Sequence, residues 1–238
     1  MFSLHEKEAT DAIYRSKAVS AFEIVHRKLQ TLTSDELIEE IFFVRSDGGI
    51  ITTAENLGLL NDDGLLILFS PPSNISGGFG FLQGHPLLMF NFLIAANDFR
   101  HLDTRFSGIR KTFVHEYIHY LDWKRTAGRI TGVAKRYEGK PIPVAAYINN
   151  PTEFNAYYQE GVDMITSYMK DWVPVKNIPA LFGTSFESFL KIAKEKYFAE
   201  HFISYMDSSY EKKFIKRIYD FYNQVVEPWV TERLAEEI

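Results

Sequence analysis

The segment TFVHEYIHYLDWKR (112–125) organises the reading of the whole chain. No proline interrupts it, and Val114, Tyr117, Ile118 and Leu121 recur at the spacing of one buried helix face. His115 and His119 then stand on a common face, one helical turn apart. Two imidazoles so placed can grip one zinc ion, and Glu116 can reach a zinc-bound water as general base. By this chain's own histidine and glutamate frequencies, such a pattern arises by chance in about 1–2% of comparable sequences. The competing structural reading is a solvated helix face with local ion pairs.

Outward from this helix the texture changes. Residues 3–32 read as a helix, with Phe22, Val25, Leu29 and Leu32 at helical spacing, and Thr33 with Glu36 forms a capping box for a short helix after it. IFFVR (41–45) and IITT (50–53) flank an Asp47-Gly48 turn and predict a hairpin. LLILF (65–69) and LLMFNFLI (87–94) are further strands, with a Pro/Gly-rich loop over 71–86 between them. The histidine-bearing helix is expected over 107–126, ending near Gly128, with a connection of mixed character over 129–149. Asn150-Pro151 opens a helix to about Met169, and Pro174 stops that pattern. Capping boxes at Thr184/Glu187 and Ser208/Glu211 open helices of roughly 184–204 and 208–226, and Pro228 starts a last short one. Strands gathered in the first half and helices in the second indicate the α+β class.

A hydrolytic zinc site takes three protein ligands and keeps one position open. Glu153, 34 positions after His119, supplies a hard oxygen and completes a His2Glu set. Its structural alternative is local: Asn150 suits the N-cap, Pro151 suits N1, and Glu153 falls at N3, where a capping-box glutamate belongs. Glu160 lies seven positions further along on much the same face and is the other choice for the ligand. Asp122 shares the face of the histidines and can orient one of them by accepting its second ring N–H. Alternatively it pairs with Lys124 or Arg125 near the helix end.

The run H-E-Y-I-H-Y-L-D, followed later by N-P-T-E-F-N-A, resembles the gluzincin branch of the zincin metallopeptidases. In texture it is closest to the anthrax lethal-factor-type catalytic domain, over residues 85–160. The resemblance implies a zincin-like core of N-terminal helix, small mixed sheet and active-site helix, followed by a helical C-terminal part. It implies that His115, His119 and Glu153 hold Zn2+, that Glu116 is the general base, and that Asp122 is the aspartate three residues past the second histidine. Its catalytic tyrosine is matched most nearly by Tyr147, one residue closer to Glu153 than in the family pattern. A phenol there would donate to the oxyanion forming on the substrate. Packing against a cleft wall is the other reading of Tyr147, and Tyr157 and Tyr158 are further choices for the role. The resemblance also implies that an edge strand, here 87–94, aligns an extended peptide.

Composition sets the outer limits. The chain has 238 residues, 46% apolar and 24% charged, which excludes a disordered tail or a coiled-coil rod. A core region of 1–170 with a helical subdomain over 171–238 fits that length. The absence of cysteine excludes disulfides, thiolate catalysis and Cys-based zinc fingers. The net charge of −5 argues against a nucleic-acid partner. The charge-free stretch 64–97 is broken by Pro71, Pro72, Gly77, Gly78, Gly80, Gly84 and Pro86, and its best apolar run, Leu87 to Ala96, is too short to span a bilayer. No signal peptide is visible, so a soluble, cytoplasmic protein is expected. Lys124, Arg125, Arg129, Lys135, Arg136 and Lys140 read as a solvated basic face, GGFGF (77–81) lacks the ending of a phosphate loop, and Asn74-Ile75-Ser76 is a sequon with no secretory context. His5, His26, His85, His101 and His201 have no metal spacing. The expectation is a zinc metallopeptidase, an endopeptidase acting on a peptide or protein substrate. The alternative is a zincin-like, metal-binding interaction module without catalysis.

Overall fold

The computed structural model describes residues 4–29, 41–44, 50–52, 65–70, 77–82, 84–91, 108–127, 142–170 and 173–235. Outside them lie the expected short helix after Thr33, the Asp47-Gly48 turn, the Asn74-Ile75-Ser76 sequon, residues 92–94, Arg129 and the basic residues at 135, 136 and 140. The class is α+β, as expected: among the described residues, a mixed five-stranded sheet precedes a run of helices. Two compact units divide the chain, one of residues 13–128 and one of residues 1–12 with 129–238.

The first unit holds most of α1 (Leu4–Leu29), the strands β1 (Ile41–Val44), β2 (Ile50–Thr52), β3 (Leu65–Ser70), β4 (Gly77–Leu82) and β5 (His85–Asn91), and the helix α2 (Gly108–Arg125). The strand order is β2-β1-β3-β5-β4. β1 and β2 pair antiparallel with Phe42 opposite Thr52 and Val44 opposite Ile50, the pairing expected of the runs that flank Asp47-Gly48. β3 and β5 run parallel, with Ile67 opposite Leu88. The buried core joins Phe22 and Val25 of α1, Leu65, Ile67, Leu88 and Phe90 of the sheet, and Ile109, Phe113 and Tyr120 of α2.

Two expectations fail here. The stretch 71–86 is not all loop: Gly77–Leu82 is a strand, antiparallel to β5 with Phe79 opposite Leu88. Phe79 and Phe81 alternate with glycines, and Gly84 at φ +87° makes the tight turn between Leu82 and His85. The glycines hide the strand from propensity, yet they serve packing, since a Cβ at Gly77 would collide with Thr112 Cγ2 of α2. In consequence the second expectation also fails: β5 is not an edge strand, because β3 and β4 flank it. The outer strand beside it is β4.

The second unit is helical: α3 (Val144–Ile148), α4 (Pro151–Lys170), α5 (Ile178–Phe182), α6 (Phe186–Lys196), α7 (Glu200–Ser204), α8 (Ser208–Phe221) and α9 (Glu227–Ala235). α4 is its central helix. Phe154 meets Phe202 and Tyr210, and Tyr158 meets Phe198 and Phe214.

Three helix boundaries shift for local reasons. Ser185, not Thr184, caps α6: its hydroxyl accepts from Ser188 N, while Ser188 Oγ accepts from Ser185 N at 3.0 Å. Gly183, at φ +71°, ends the preceding helix α5. Asp207, not Ser208, caps α8 by accepting from the N–H groups of Ser209 and Tyr210 at 2.8 and 2.9 Å. The single helix expected over 184–204 breaks between Lys196 and Glu200 into α6 and α7. The last short helix expected at Pro228 is present as α9, beginning one residue earlier at Glu227. A wide π turn at Tyr222–Val226 carries α8 into α9 and absorbs the clash that a proline brings to an unbroken helix. Among the described residues, no helix is long and apolar enough to cross a membrane.

Candidate metal centre

α2 is held by an aromatic stack. Phe113 lies flat against Phe90 at 5.7 Å and Tyr117 at 5.7 Å, and meets Phe22 edge-on at 5.5 Å. The Arg110 guanidinium sits over the Phe22 ring at 5.9 Å. With Ile109, Phe113 and Ile118 committed to the interior, the helix must turn His115, His119 and Asp122 to another side. His115 and Glu116 are nonetheless buried, and His119 is half-buried. The two imidazoles stand edge to face with ring centroids 5.0 Å apart. Burial, together with the neighbouring Tyr120, pushes the Tyr117 phenol up to about 12.

The helix stops at Arg125, with Lys124 and Arg125 in its last turn, where cations complement the dipole. Thr126 Oγ1 donates to the carbonyls of Asp122 and Trp123. Ala127 takes a left-handed turn at φ 51°, one residue before the glycine expected there. Asp122 is buried and accepts from Arg125 Nη2 at 3.3 Å, the ion pair that its structural reading anticipates.

Glu153 stands in the first turn of α4, where a carboxylate suits the positive end of the helix. Asn150 caps this helix start, as its local reading expects. Asn150 Oδ1 accepts from Thr152 N at 2.9 Å and Thr152 Oγ1 at 2.5 Å. The Asn150 N–H donates to the Tyr147 carbonyl at 3.1 Å. Asn149 steadies this start, giving Nδ2 to the Tyr205 carbonyl at 2.8 Å and accepting from Asp207 N at 2.9 Å. Tyr147 belongs to the one-turn helix α3, directly ahead of that cap, and is half-buried. Tyr157 is bonded to His201 at 2.8 Å, and Tyr158 donates to the Arg217 carbonyl at 3.0 Å.

Among the described residues, His115, His119 and Glu153 form a group that could hold a metal ion: each offers one ligand atom, and these atoms lie within 4.8 Å of one another. Glu160 is not in that group. A tetrahedral ion with nitrogen and oxygen at about 2.1 Å separates its ligands by roughly 3.4 Å. Two neutral imidazoles and one carboxylate suit zinc and also other divalent ions of the first transition row. No protein-family model, curated protein or solved structure matches the chain.

Proposed function

We propose that the chain is a zinc-dependent peptidase of the gluzincin type, with His115, His119 and Glu153 as the metal ligands. The observation that carries this reading is the grouping of two histidines from one helix with a carboxylate 34 positions beyond the second. The buried Glu116 beside them supports it, since a carboxylate held out of bulk water suits a general base better than a solvated face. A bound zinc ion supplies a Lewis acid that polarises a carbonyl and makes water acidic near neutral pH. Within this reading the Glu116 carboxylate takes the proton of the attacking water and passes it to the leaving amine nitrogen. The Tyr147 phenol donates to the developing oxyanion. Asp122 orients a liganding imidazole from behind.

The substrate enters as an extended segment. β4 is the outer strand of the sheet, and Gly77–Leu82 carries no proline and no charge to deter a partner strand. A peptide adding to it would gain main-chain hydrogen bonds, the usual logic of strand addition. Phe81, half exposed, packs on Trp123 at 5.4 Å and offers an apolar surface for one side chain of that peptide.

The test is metal content together with cleavage. Purified protein should hold about one zinc per chain and should cut an unstructured protein, with activity lost to a chelator and restored by zinc. Protein that binds zinc but cuts nothing across a panel of unfolded substrates would instead fit the non-catalytic module. Protein that binds no divalent ion would end the reading.

A further inference from the structure

Behind the helix that carries Glu153 lies a buried cation. Arg217 of α8 is almost wholly enclosed, as is its partner Asp11 in the early turns of α1. Their contact is direct, Nη2 to Oδ2 at 2.5 Å. The second terminal nitrogen, Nη1, donates to Asn155 Oδ1 at 3.3 Å. The guanidinium lies 3.6 Å from the centroid of the Tyr158 ring and 5.9 Å from that of Phe154. The Arg217 carbonyl in turn accepts the Tyr158 hydroxyl at 3.0 Å. All these partners except Asp11 are on α4, between one and five residues beyond Glu153.

Burying an ion pair is costly, and well-packed apolar residues of similar size hold a core as well or better. What a guanidinium adds is direction: a planar fork, fixed at once by a carboxylate, an amide oxygen and a ring face. Here every one of those fixings on α4 restrains its first two turns, about the helix axis and along it. Rotation of α4 by one residue's worth, about 100°, would carry a ligand on its first turn to a different side of the helix.

We infer that Arg217 is a positioning residue for the third ligand: it sets the rotation of α4, and Asp11 holds Arg217 in place to do so. This rests on the metal-site reading above. The pair acts through Glu153 and touches no substrate.

The experiment measures zinc affinity by competition with a chromophoric chelator, and the cobalt d–d spectrum as a report on coordination geometry. It uses the full chain, with thermal unfolding of the apoprotein recorded alongside. Arg217→Lys keeps the charge beside Asp11 but loses the flat stack on Tyr158 and the second donor. It should weaken zinc about 10–100-fold, the range for losing an outer partner of a ligand. In a Glu153→Ala background the same change should have no further effect on affinity. Asn155→Ala, which leaves the ion pair whole, should weaken zinc in the same direction, and it serves if the lysine variant does not fold. Should Arg217→Lys or Asn155→Ala lower the melting temperature while zinc affinity and the cobalt spectrum stay as in wild type, the pair is structural only and the inference is overturned. Equal loss with and without Glu153 overturns it too. If His115→Ala and Glu153→Ala themselves bind zinc as tightly as wild type, the fault lies in the metal-site reading, and the inference falls with it.

Discussion

Gly77 of β4 and Thr112 of α2 meet where no side chain fits between them: a Cβ on the glycine would run into Thr112 Cγ2 and stand 3.0 Å from the Met89 carbonyl. The sheet thus receives the histidine-bearing helix at backbone distance. Gly77→Ala should cost about 1–3 kcal/mol by overpacking. Gly78→Ala is the control, because its Cβ would meet only Met89 Cε at an ordinary 3.7 Å. Urea unfolding of the two variants should separate them clearly, and equal midpoints would refute the close approach.

Glu116→Gln preserves the shape of the buried side chain and removes its ability to take a proton. Under the proposed peptidase reading, the variant should keep zinc at wild-type stoichiometry and lose activity by on the order of 10²–10⁴. Cleavage at an undiminished rate would show that the base is another group.

The choice of third ligand is open to direct measurement. His115→Ala and Glu153→Ala should each abolish tight zinc binding, whereas Glu160→Ala should bind as wild type, in line with the grouping of ligand atoms. Loss of zinc in Glu160→Ala alone would reverse the assignment.

Tyr197 tests the helical unit apart from the candidate metal ligands. Its hydroxyl donates to the Leu181 carbonyl at 2.7 Å, and burial, with Tyr168 nearby, raises its pKa. Tyr197→Phe leaves that carbonyl without its donor and should cost about 1–2 kcal/mol. The sign of the pH effect follows from the raised value. The stabilisation is whole below the unfolded pKa of about 10 and fades as pH climbs toward the folded one. Wild type should therefore lose stability above pH 10 more steeply than the phenylalanine variant in alkaline denaturation curves.

Much of this architecture is written locally. The 3.6-residue spacing of Val114 and Ile118 predicts α2, and Asn150-Pro151 marks the start of α4 within a residue. Those two elements carry the candidate ligands, and both helices are legible from local pattern. The strand Gly77–Leu82 was not, because three glycines depress β propensity while the reason for them, the approach of Thr112, is a tertiary fact. The signal that was available is the alternation of Phe79 and Phe81 ahead of a Gln83-Gly84 pair. Asp11 and Arg217 escape for another reason: they are 206 positions apart, and no periodicity links an acid in the first helix to a base in the eighth. Cap positions at Ser185 and Asp207 moved by one residue from Thr184 and Ser208, as neighbouring hydroxyls and carboxylates compete for the same role.

The π turn at Tyr222–Val226 has a consequence for the end of the chain. One surplus residue in a helical turn works as a phase shifter, resetting the azimuth of everything that follows. α9 owes its orientation to it, and with that the edge-to-face seat of Trp229 on Phe182 at 4.9 Å. Deleting a single residue there would leave the helix continuous yet swing its last segment through about 100°, unseating the indole without breaking the rod.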